Sequence, residues 1–222
     1  AKAIWLCKEK EGGRIMNKTI KNALILMAIT LISGFLLGGV YELTKDARAK
    51  QQEKNQNEAY KTVFSQASTF EAYDYNKELI EKELEKNSIT SKNVIIDGVV
   101  TAKGKDDKAI GYIVNVTSKE GFGGDITFSV GIDLSGKING VSILSISETA
   151  GLGMNAANES FLSQYKVERD GLFVVNKTEN QAGTNIDALS GATITSKAVT
   201  KGVNAAVIVA AAILENTQEV NK

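Results

Sequence analysis

The segment Asp187-Ala188-Leu189-Ser190-Gly191-Ala192-Thr193-Ile194-Thr195-Ser196 joins small and hydroxyl-bearing residues directly to a long apolar helical pattern. From Lys197 onward, small and apolar residues recur at the spacing of one buried helix face; they are Ala198, Val199, Gly202, Val203, Ala206, Val209, Ala210 and Ile213. The pattern predicts a helix that begins near Thr193, with Ser190 and Thr193 as N-terminal capping residues.

The start of this helix is suited to bind an anion. Unpaired backbone N–H groups and the positive end of the helix dipole meet at such a position. Gly191 and Ala192 are small enough to let a bulky group approach the backbone, and Thr193 and Thr195 offer hydroxyls that could be esterified. The residues alone leave two interpretations open, a capped core helix and a phosphate-binding helix start.

Composition excludes several classes of function. The 222 residues include 26 basic and 26 acidic side chains, so no broad positive field favours a nucleic-acid partner. Histidine is absent and Cys7 is the only cysteine, which excludes metal sites built from these residues, thiol catalysis and iron-sulfur ligation. Chemistry beyond the reach of ordinary side chains would therefore require a cofactor.

The N-terminal region is predicted to contain a membrane anchor. Residues 23–41 carry no charge and, at about 1.5 Å per residue, form a helix about as long as the hydrocarbon core of a bilayer is thick. A cleaved signal peptide is the alternative, but residues 38–41 make a poor cleavage site. Lys18 and Lys21 precede the span, which favours a single-pass protein with a cytoplasmic N-terminus, 16–22, and its large domain on the extracytoplasmic side.

Residues 1–15 are predicted to be an extension that is not part of the natural protein. They end in a Lys-Glu-Gly-Gly run ahead of Met16, which is what a purine-rich ribosome-binding sequence gives when it is translated. Met16 is then the natural start.

The remainder is predicted to be an α+β domain on a helical stalk. Residues 42–87 are read as a helical stalk with docking helices, 88–215 as the folded domain and 216–222 as a frayed C-terminus. Four β-branched runs predict an antiparallel meander packed with helices: Val94–Ala102, Ala109–Thr117, Asp125–Ile132 and Ile138–Ile146. Further along, the sequence predicts a helix over 158–165, a strand over 173–175 and a loop over 178–185.

A second loop with ligand-binding character follows the meander, Glu148-Thr149-Ala150-Gly151-Leu152-Gly153. The two glycines around Leu152 allow backbone N–H groups to turn toward a ligand, and Glu148 and Thr149 supply polar contacts. Taken alone, the loop could equally cap the helix predicted at 158–165.

These two segments together resemble the FMN-binding domain family. Asp187 followed by Ser190-Gly191-Ala192-Thr193 is similar to the family signature Asp-x-x-Ser/Thr-Gly-Ala-Thr, and the loop 148–153 is similar to its Glu-Thr-x-Gly-Leu-Gly loop. Gly121-Phe122-Gly123-Gly124 resembles the family's Gly-rich turn. In that family the last threonine of the signature carries FMN through a phosphodiester. The resemblance implies FMN on Thr193, with Thr195 as the rival acceptor.

Within that family the chain resembles the G subunits of Rnf complexes and, more distantly, NqrC. The resemblance implies a membrane-anchored subunit that carries electrons within an ion-translocating ferredoxin:NAD oxidoreductase, without substrate turnover of its own. Its implied partners are other membrane subunits of that complex and a flavin transferase that uses FAD and magnesium. Asp187 is then part of the flavinylation motif, or it forms an Asx-type turn. The alternatives are a membrane-anchored scaffold without flavin and an NqrC-like subunit of a NADH:quinone oxidoreductase.

Overall fold

The apolar N-terminal segment forms part of a single long helix, α1, which runs over Lys2–Val63. The computed structural model describes the backbone of residues 2–176 and 181–220 and the side chains of 18–176 and 181–216. The predicted extension, residues 1–15, therefore lies outside the described side chains. The chain divides into two compact units, Ala1–Glu53 and Lys54–Lys222.

In the first unit, the apolar stretch of α1 is exposed to solvent along its described length. Its large apolar side chains are exposed, with Phe35 exposed to 83%. By length and composition this helix could cross a membrane. The C-terminal helix Thr193–Asn216 passes the same test, but most of it is buried inside the second unit. It is therefore a core helix, as its continuous apolar face predicted.

The second unit is built on an antiparallel sheet of five strands in sequential order. They are β1 (Thr69–Tyr73), β2 (Val94–Lys103), β3 (Ala109–Ser118), β4 (Ile126–Asp133) and β5 (Ile138–Ser145). The predicted meander is confirmed, and its four runs match β2 to β5 within a residue at each end.

The prediction that 42–87 is entirely helical is wrong. Helix α1 ends at Val63, the edge strand β1 follows, and only Lys77–Lys86 is again a helix, α2. The aromatic residues explain the strand: the Phe70 ring lies 5.4 Å from that of Tyr60, and the Tyr73 ring meets Tyr112 edge-on at 5.3 Å. Phe70 thus packs on α1, and Tyr73 packs on another strand of the sheet, a contact that favours extended backbone over helix.

One face of the sheet is covered by the C-terminal helix α4, Thr193–Val220. Its predicted apolar face is buried throughout, and Gly202 lies where a Cβ would come within 2.5 Å of the Phe128 ring. The absence of a side chain at Gly202 therefore sets how closely α4 approaches β4.

A buried hydrogen bond also holds α4 in place. The hydroxyls of Tyr165 and Thr200 are 2.8 Å apart, and burial raises the pKa of Tyr165.

The other face holds the end of α1 in a trough of three glycines. Gly111, Gly131 and Gly140 lie on β3, β4 and β5, where added Cβ atoms would meet Phe64 at 2.5 Å and Val63 at 2.8 and 3.4 Å respectively. Side chains at these positions would keep α1 from the sheet. The glycines thus form a groove that accommodates Val63, the last residue of α1, and Phe64, which follows it.

A buried chain of hydrogen bonds fastens the same turn. The hydroxyl of Tyr60 accepts bonds from Gln56 and Asn115, both at 2.7 Å, and Ser129 donates to Asn115 at 2.7 Å. Burial raises the pKa of Tyr60, against the opposing effect of these hydrogen bonds. Helix α1, β3 and β4 are therefore joined by polar as well as apolar contacts.

Short elements connect β5 to α4. The predicted helix at 158–165 appears as a brief helix α3, Glu159–Leu162, between two 3₁₀ turns, Gly153–Ala157 and Ser163–Lys166. Strand β6 (Phe173–Val175) is confirmed, and it pairs in parallel with β7 (Thr184–Ile186).

The structure differs from the predictions for two segments near the C-terminus. The predicted loop 178–185 partly lies outside the described residues, and its end forms β7 instead. The frayed terminus predicted for 216–222 is helical as far as Val220, and residues 221 and 222 lie outside the described part of the chain.

Candidate functional site

The segment before α4 forms a tight turn that sets the start of the helix. The N–H of Ala192 donates to the carbonyl of Leu189 at 3.0 Å, and Gly191 has a positive φ of 71°. That conformation at the third position of a β-turn strongly favours glycine. Ala192 then accepts the first helical hydrogen bond, from Ser196 at 3.0 Å. Ala192 occupies the capping position, and the predicted caps Ser190 and Thr193 lie on either side of it.

The first three N–H groups of α4 are free to bind a ligand. Among the residues that the structure describes, the amides of Thr193, Ile194 and Thr195 have no hydrogen-bond acceptor. They lie at the positive end of the 28-residue helix α4. An anion placed there would satisfy donors that the protein leaves unpaired.

A cleft of about 440 Å³ opens beside this helix start. It is lined by both predicted loops and by the Gly-rich turn: Phe122, Glu148, Thr149, Leu152, Gly153, Gly191, Ala192, Thr193, Ile194 and Thr195. The two family-like segments, separated by more than thirty residues of chain, thus meet at one cleft.

The two threonines of the helix start differ in access. Thr193 is exposed, whereas Thr195 is exposed to only 1%. The Thr195 hydroxyl lies 2.8 Å from the place where a Cβ on Gly153 would stand, so this loop packs directly on it. Thr193 is therefore the more solvent-accessible of the two threonines.

The opposite wall is organised around the carboxylate of Glu148. This side chain is exposed to 9%, and its Oε1 accepts a hydrogen bond from the N–H of Gly123 at 3.2 Å. A Cβ on Gly121 would lie 2.9 Å from the same oxygen, and one on Gly153 would lie 2.8 Å from Oε2. Glu148 therefore holds the Gly-rich turn against the loop 148–153, a structural role that the sequence pattern did not reveal.

Backbone contacts shape the rest of that loop. The carbonyl of Thr149 accepts from Leu152 at 3.1 Å and from Met154 at 3.2 Å, and Gly151 has a positive φ of 77°. The loop turns sharply, and Thr149, Leu152 and Gly153 come to line the cleft while Gly151 does not.

Asp187 lies outside the lining of the cleft. Its backbone N–H donates to Gln164 at 2.8 Å, and its exposed carboxylate accepts from the side chain of Asn185 at 2.8 Å. The Asx-type turn is not formed, because the N–H of Leu189 donates instead to the hydroxyl of Ser196 at 2.9 Å.

Side chains from distant elements fix the loop that leads to Thr193. The N–H of Ala188 donates to Asn176 at 2.9 Å, and the hydroxyl of Ser196 both accepts from Leu189 and donates to Ala192 at 3.0 Å. The loop is therefore held in place before any ligand binds.

The structure brings eight of the eleven predicted site residues to the cleft and leaves Gly151, Ser190 and Asp187 outside its lining. Two lining residues were not predicted, Phe122 and Ile194. Phe122 is exposed to 72%, which is unusual for a phenylalanine and could have been suspected from its position between glycines.

Comparison with known proteins agrees with this site. Residues 121–208 match the FMN-binding domain family, and residues 15–63 match the RnfG N-terminal region. The G subunit of the proton-translocating ferredoxin:NAD(+) oxidoreductase complex of Clostridium ljungdahlii is 36% identical over 91% of this chain and 95% of that protein. The chain belongs to the RnfG family. The match to the FMN-binding domain begins at Gly121 and contains every residue that lines the cleft.

Other similar proteins are more distant. The G subunit of the Na(+)-translocating ferredoxin:NAD(+) oxidoreductase complex of Acetobacterium woodii is 29% identical over 83% of this chain and 87% of that protein. The crystal structure of Shewanella oneidensis NqrC is 16% identical, covers 70% of this chain and 91% of that chain, and superposes with a TM-score of 0.48.

Proposed function

We propose that this chain is a flavoprotein subunit of an Rnf-type complex and carries electrons on FMN joined to Thr193 by a phosphodiester. The observation that carries the proposal is the accessible Thr193 hydroxyl, which lies beside three unpaired amides and a cleft of about 440 Å³. The names of the relatives add the setting, a ferredoxin:NAD(+) oxidoreductase complex that translocates protons or sodium ions.

The residues of the cleft fit a phosphate-linked flavin. A phosphodiester bears one negative charge, which the amides of Thr193, Ile194 and Thr195 and the helix dipole would stabilise. Bound FMN would supply reversible acceptance and release of electrons. Around it, Phe122 and Leu152 offer apolar surface that keeps water from a ring. Glu148 keeps the two glycine-containing loops in register, so the wall facing Thr193 is preformed.

Asp187 is proposed to act during attachment of the flavin. A carboxylate close to a phosphodiester would repel it, whereas Asp187 is exposed and absent from the lining of the cleft. Its position before the fixed loop suits recognition by a flavin transferase that uses FAD and magnesium. Gln164 holds the Asp187 backbone and so fixes where that carboxylate is presented.

The direct test is the intact mass of the full chain made with and without an active flavin transferase. We expect a mass increase of one FMN less one water, with yellow in-gel fluorescence, only when the transferase and its FAD are present. In this transfer the Thr193 oxygen bonds to the flavin-side phosphorus of FAD, the bond between the two phosphates breaks, AMP leaves and the hydroxyl proton is released. A chain that stays unmodified beside a transferase that modifies another known substrate would contradict the proposal. It would favour the alternative of a membrane-anchored scaffold without flavin.

We also propose that residues 23–41 anchor the chain in the membrane, with the N-terminus in the cytoplasm and the flavin domain on the extracytoplasmic side. The uncovered apolar stretch of α1 and the lysines before it support this orientation. Cysteines at the exposed positions Ser91 and Lys105, in a Cys7→Ser background, should react with a membrane-impermeant thiol reagent in intact cells. Labelling that requires lysis would place the domain in the cytoplasm.

A further inference from the structure

A second cleft, of about 670 Å³, lies apart from the candidate flavin site and shares no lining residue with it. We propose that this cleft, centred on Arg169, binds an acidic side chain of another subunit of the complex. The inference rests on the proposed membership of that complex and adds a docking surface that does not involve the flavin.

The guanidinium of Arg169 is partly buried and has no counter-ion among the side chains that the structure describes. Its Nη1 donates to the carbonyl of Gly136 at 2.9 Å, and no carboxylate among side chains 18–176 and 181–216 lies within 4.0 Å of it. Burial lowers the pKa of Arg169, which is the direction expected for a desolvated cation with no anion nearby. Elsewhere on the same unit, Lys166 and Lys201 each form an ion pair with a glutamate.

A partly desolvated cation without a partner is a binding feature. Removing a guanidinium from water costs free energy, and one hydrogen bond to a neutral carbonyl offsets only part of that cost. A carboxylate would offset the rest of that cost, because its two oxygens match the planar fork of the arginine guanidinium and accept charge-assisted hydrogen bonds from it. The cost of burying Arg169 is therefore reduced when an anion enters the cleft.

The rest of the cleft defines the kind of anion. Its walls are mainly apolar, with Val167 exposed to 46%, and with Leu172, Val207 and Ile208 beside it. Lys137 is a second cation on the rim, and Glu168 is the one acidic residue of the described lining. Two cations against one anion leave the cleft positive, so it fits a carboxylate that is carried on an apolar stem.

A protein partner matches this chemistry better than a free ion does. Arginine surrounded by apolar side chains is characteristic of the energetically dominant centre of protein interfaces. The apolar surface also continues outside the cleft, where Leu134 beside Ser135 is exposed. A side chain from a neighbouring subunit would cover this surface and pair with Arg169 in one contact.

Zero-length cross-linking tests the proposal in the assembled complex. In Arg169→Lys, a carbodiimide should join the new amine to an aspartate or glutamate of another subunit when membranes that hold the full complex are treated. Lys105, an exposed lysine far along the chain in the turn between β2 and β3, provides the matched control and should give no such product. If residue 169 links only to Glu168 or Asp170 while the complex is intact, the proposal is wrong.

A second variant measures the contribution of the charge. Salt is raised stepwise to release the subunit from the purified complex. At each salt concentration, the dissociation constant of Arg169→Gln should be at least about tenfold higher than that of Lys105→Gln. Flavin fluorescence of both variants should equal that of the unaltered chain, which shows that the fold and the flavin site are retained. Equal dissociation of the two variants would overturn the docking surface but leave the proposed flavin function intact. A further outcome is that acetate or phosphate stabilises the isolated chain only when Arg169 is present, while no intersubunit cross-link forms. That result would contradict the docking surface and indicate a site for a small anion.

Absence of the unaltered chain from the purified complex would be a different result. It would contradict the proposed function, whatever the variants of Arg169 do. The two proposals therefore fail in distinguishable ways.

Discussion

Thr193→Val is expected to abolish the covalent flavin completely. Valine has nearly the same shape but no hydroxyl, so no ester to the phosphate can form, while Thr193→Ser keeps the hydroxyl and should remain flavinylated. Thr193 is exposed and is the first residue of α4, so either substitution should change the free energy of unfolding by less than about 1 kcal/mol. In-gel fluorescence and intact mass, after production with the transferase, report the result.

Thr195→Val distinguishes the two candidate acceptors. Thr195 is buried with its hydroxyl close to Gly153, so we expect that the transferase does not reach it and that the variant still carries flavin. Fluorescence that is retained in Thr193→Val and lost in Thr195→Val would reverse the assignment.

Asp187→Asn should slow the attachment of flavin in the same assay followed over time, while the final yield stays the same. An unchanged rate would restrict the role of Asp187 to its contact with Asn185.

Phe128→Ala is expected to lower the free energy of unfolding by about 3–5 kcal/mol. The ring is fully buried between β4 and α4, where its removal leaves a cavity that the fixed sheet cannot fill. Chemical denaturation of the full chain in detergent, followed by circular dichroism, measures the change. Phe122→Ala removes an exposed ring instead, and in flavin-free protein it should alter stability by no more than about 0.5 kcal/mol. Similar losses for both variants would contradict the assigned core.

Gly202→Ala tests the same contact from the helix side. In an open helix this change stabilises by about 1 kcal/mol, but here the new methyl would stand 2.5 Å from the Phe128 ring and 3.2 Å from Val116. Overpacking of about 1–3 kcal/mol should exceed the gain, so the single variant is destabilised. In a Phe128→Ala background the methyl enters the cavity, and the sign should reverse. A stabilising effect in both backgrounds would show that α4 and β4 are not packed at this distance.

The main elements could be predicted because their patterns are local. The meander has alternating and β-branched runs between polar turns, and α4 shows one continuous apolar face from Ala198 to Ile213. Strand β1 could not be recognised in the same way, since its five residues follow a long helix and pair with residues 99–103, which lie far along the chain. Strand β7 has three residues, too few for a periodic pattern, and it is defined by its pairing with β6.

The candidate site was predictable in its residues more than in their roles. Thr193 and the loop 148–153 could be located because small residues and hydroxyls cluster in short segments. The function of Glu148 depends on the Gly-rich turn, whose Gly123 lies about twenty-five positions earlier in the chain, so only the folded chain shows their contact. The docking cleft around Arg169 has no motif at all, because its walls come from a turn, an irregular segment and a helix.

The trough of Gly111, Gly131 and Gly140 determines where the folded domain can be separated from the apolar part of α1. Val63 and Phe64 fill this trough, and the first buried residue among the described side chains is Ala59, so the last turns of α1 are part of the domain core. A protease that released the domain by cutting after Phe64 would leave an open groove across three strands, and the side-chain nitrogen of Asn115 would lose its hydrogen bond to Tyr60. Cleavage near Lys54, which is exposed and begins the second unit, would leave the core closed. The smallest water-soluble form of the FMN-binding domain therefore has to retain the last turns of α1.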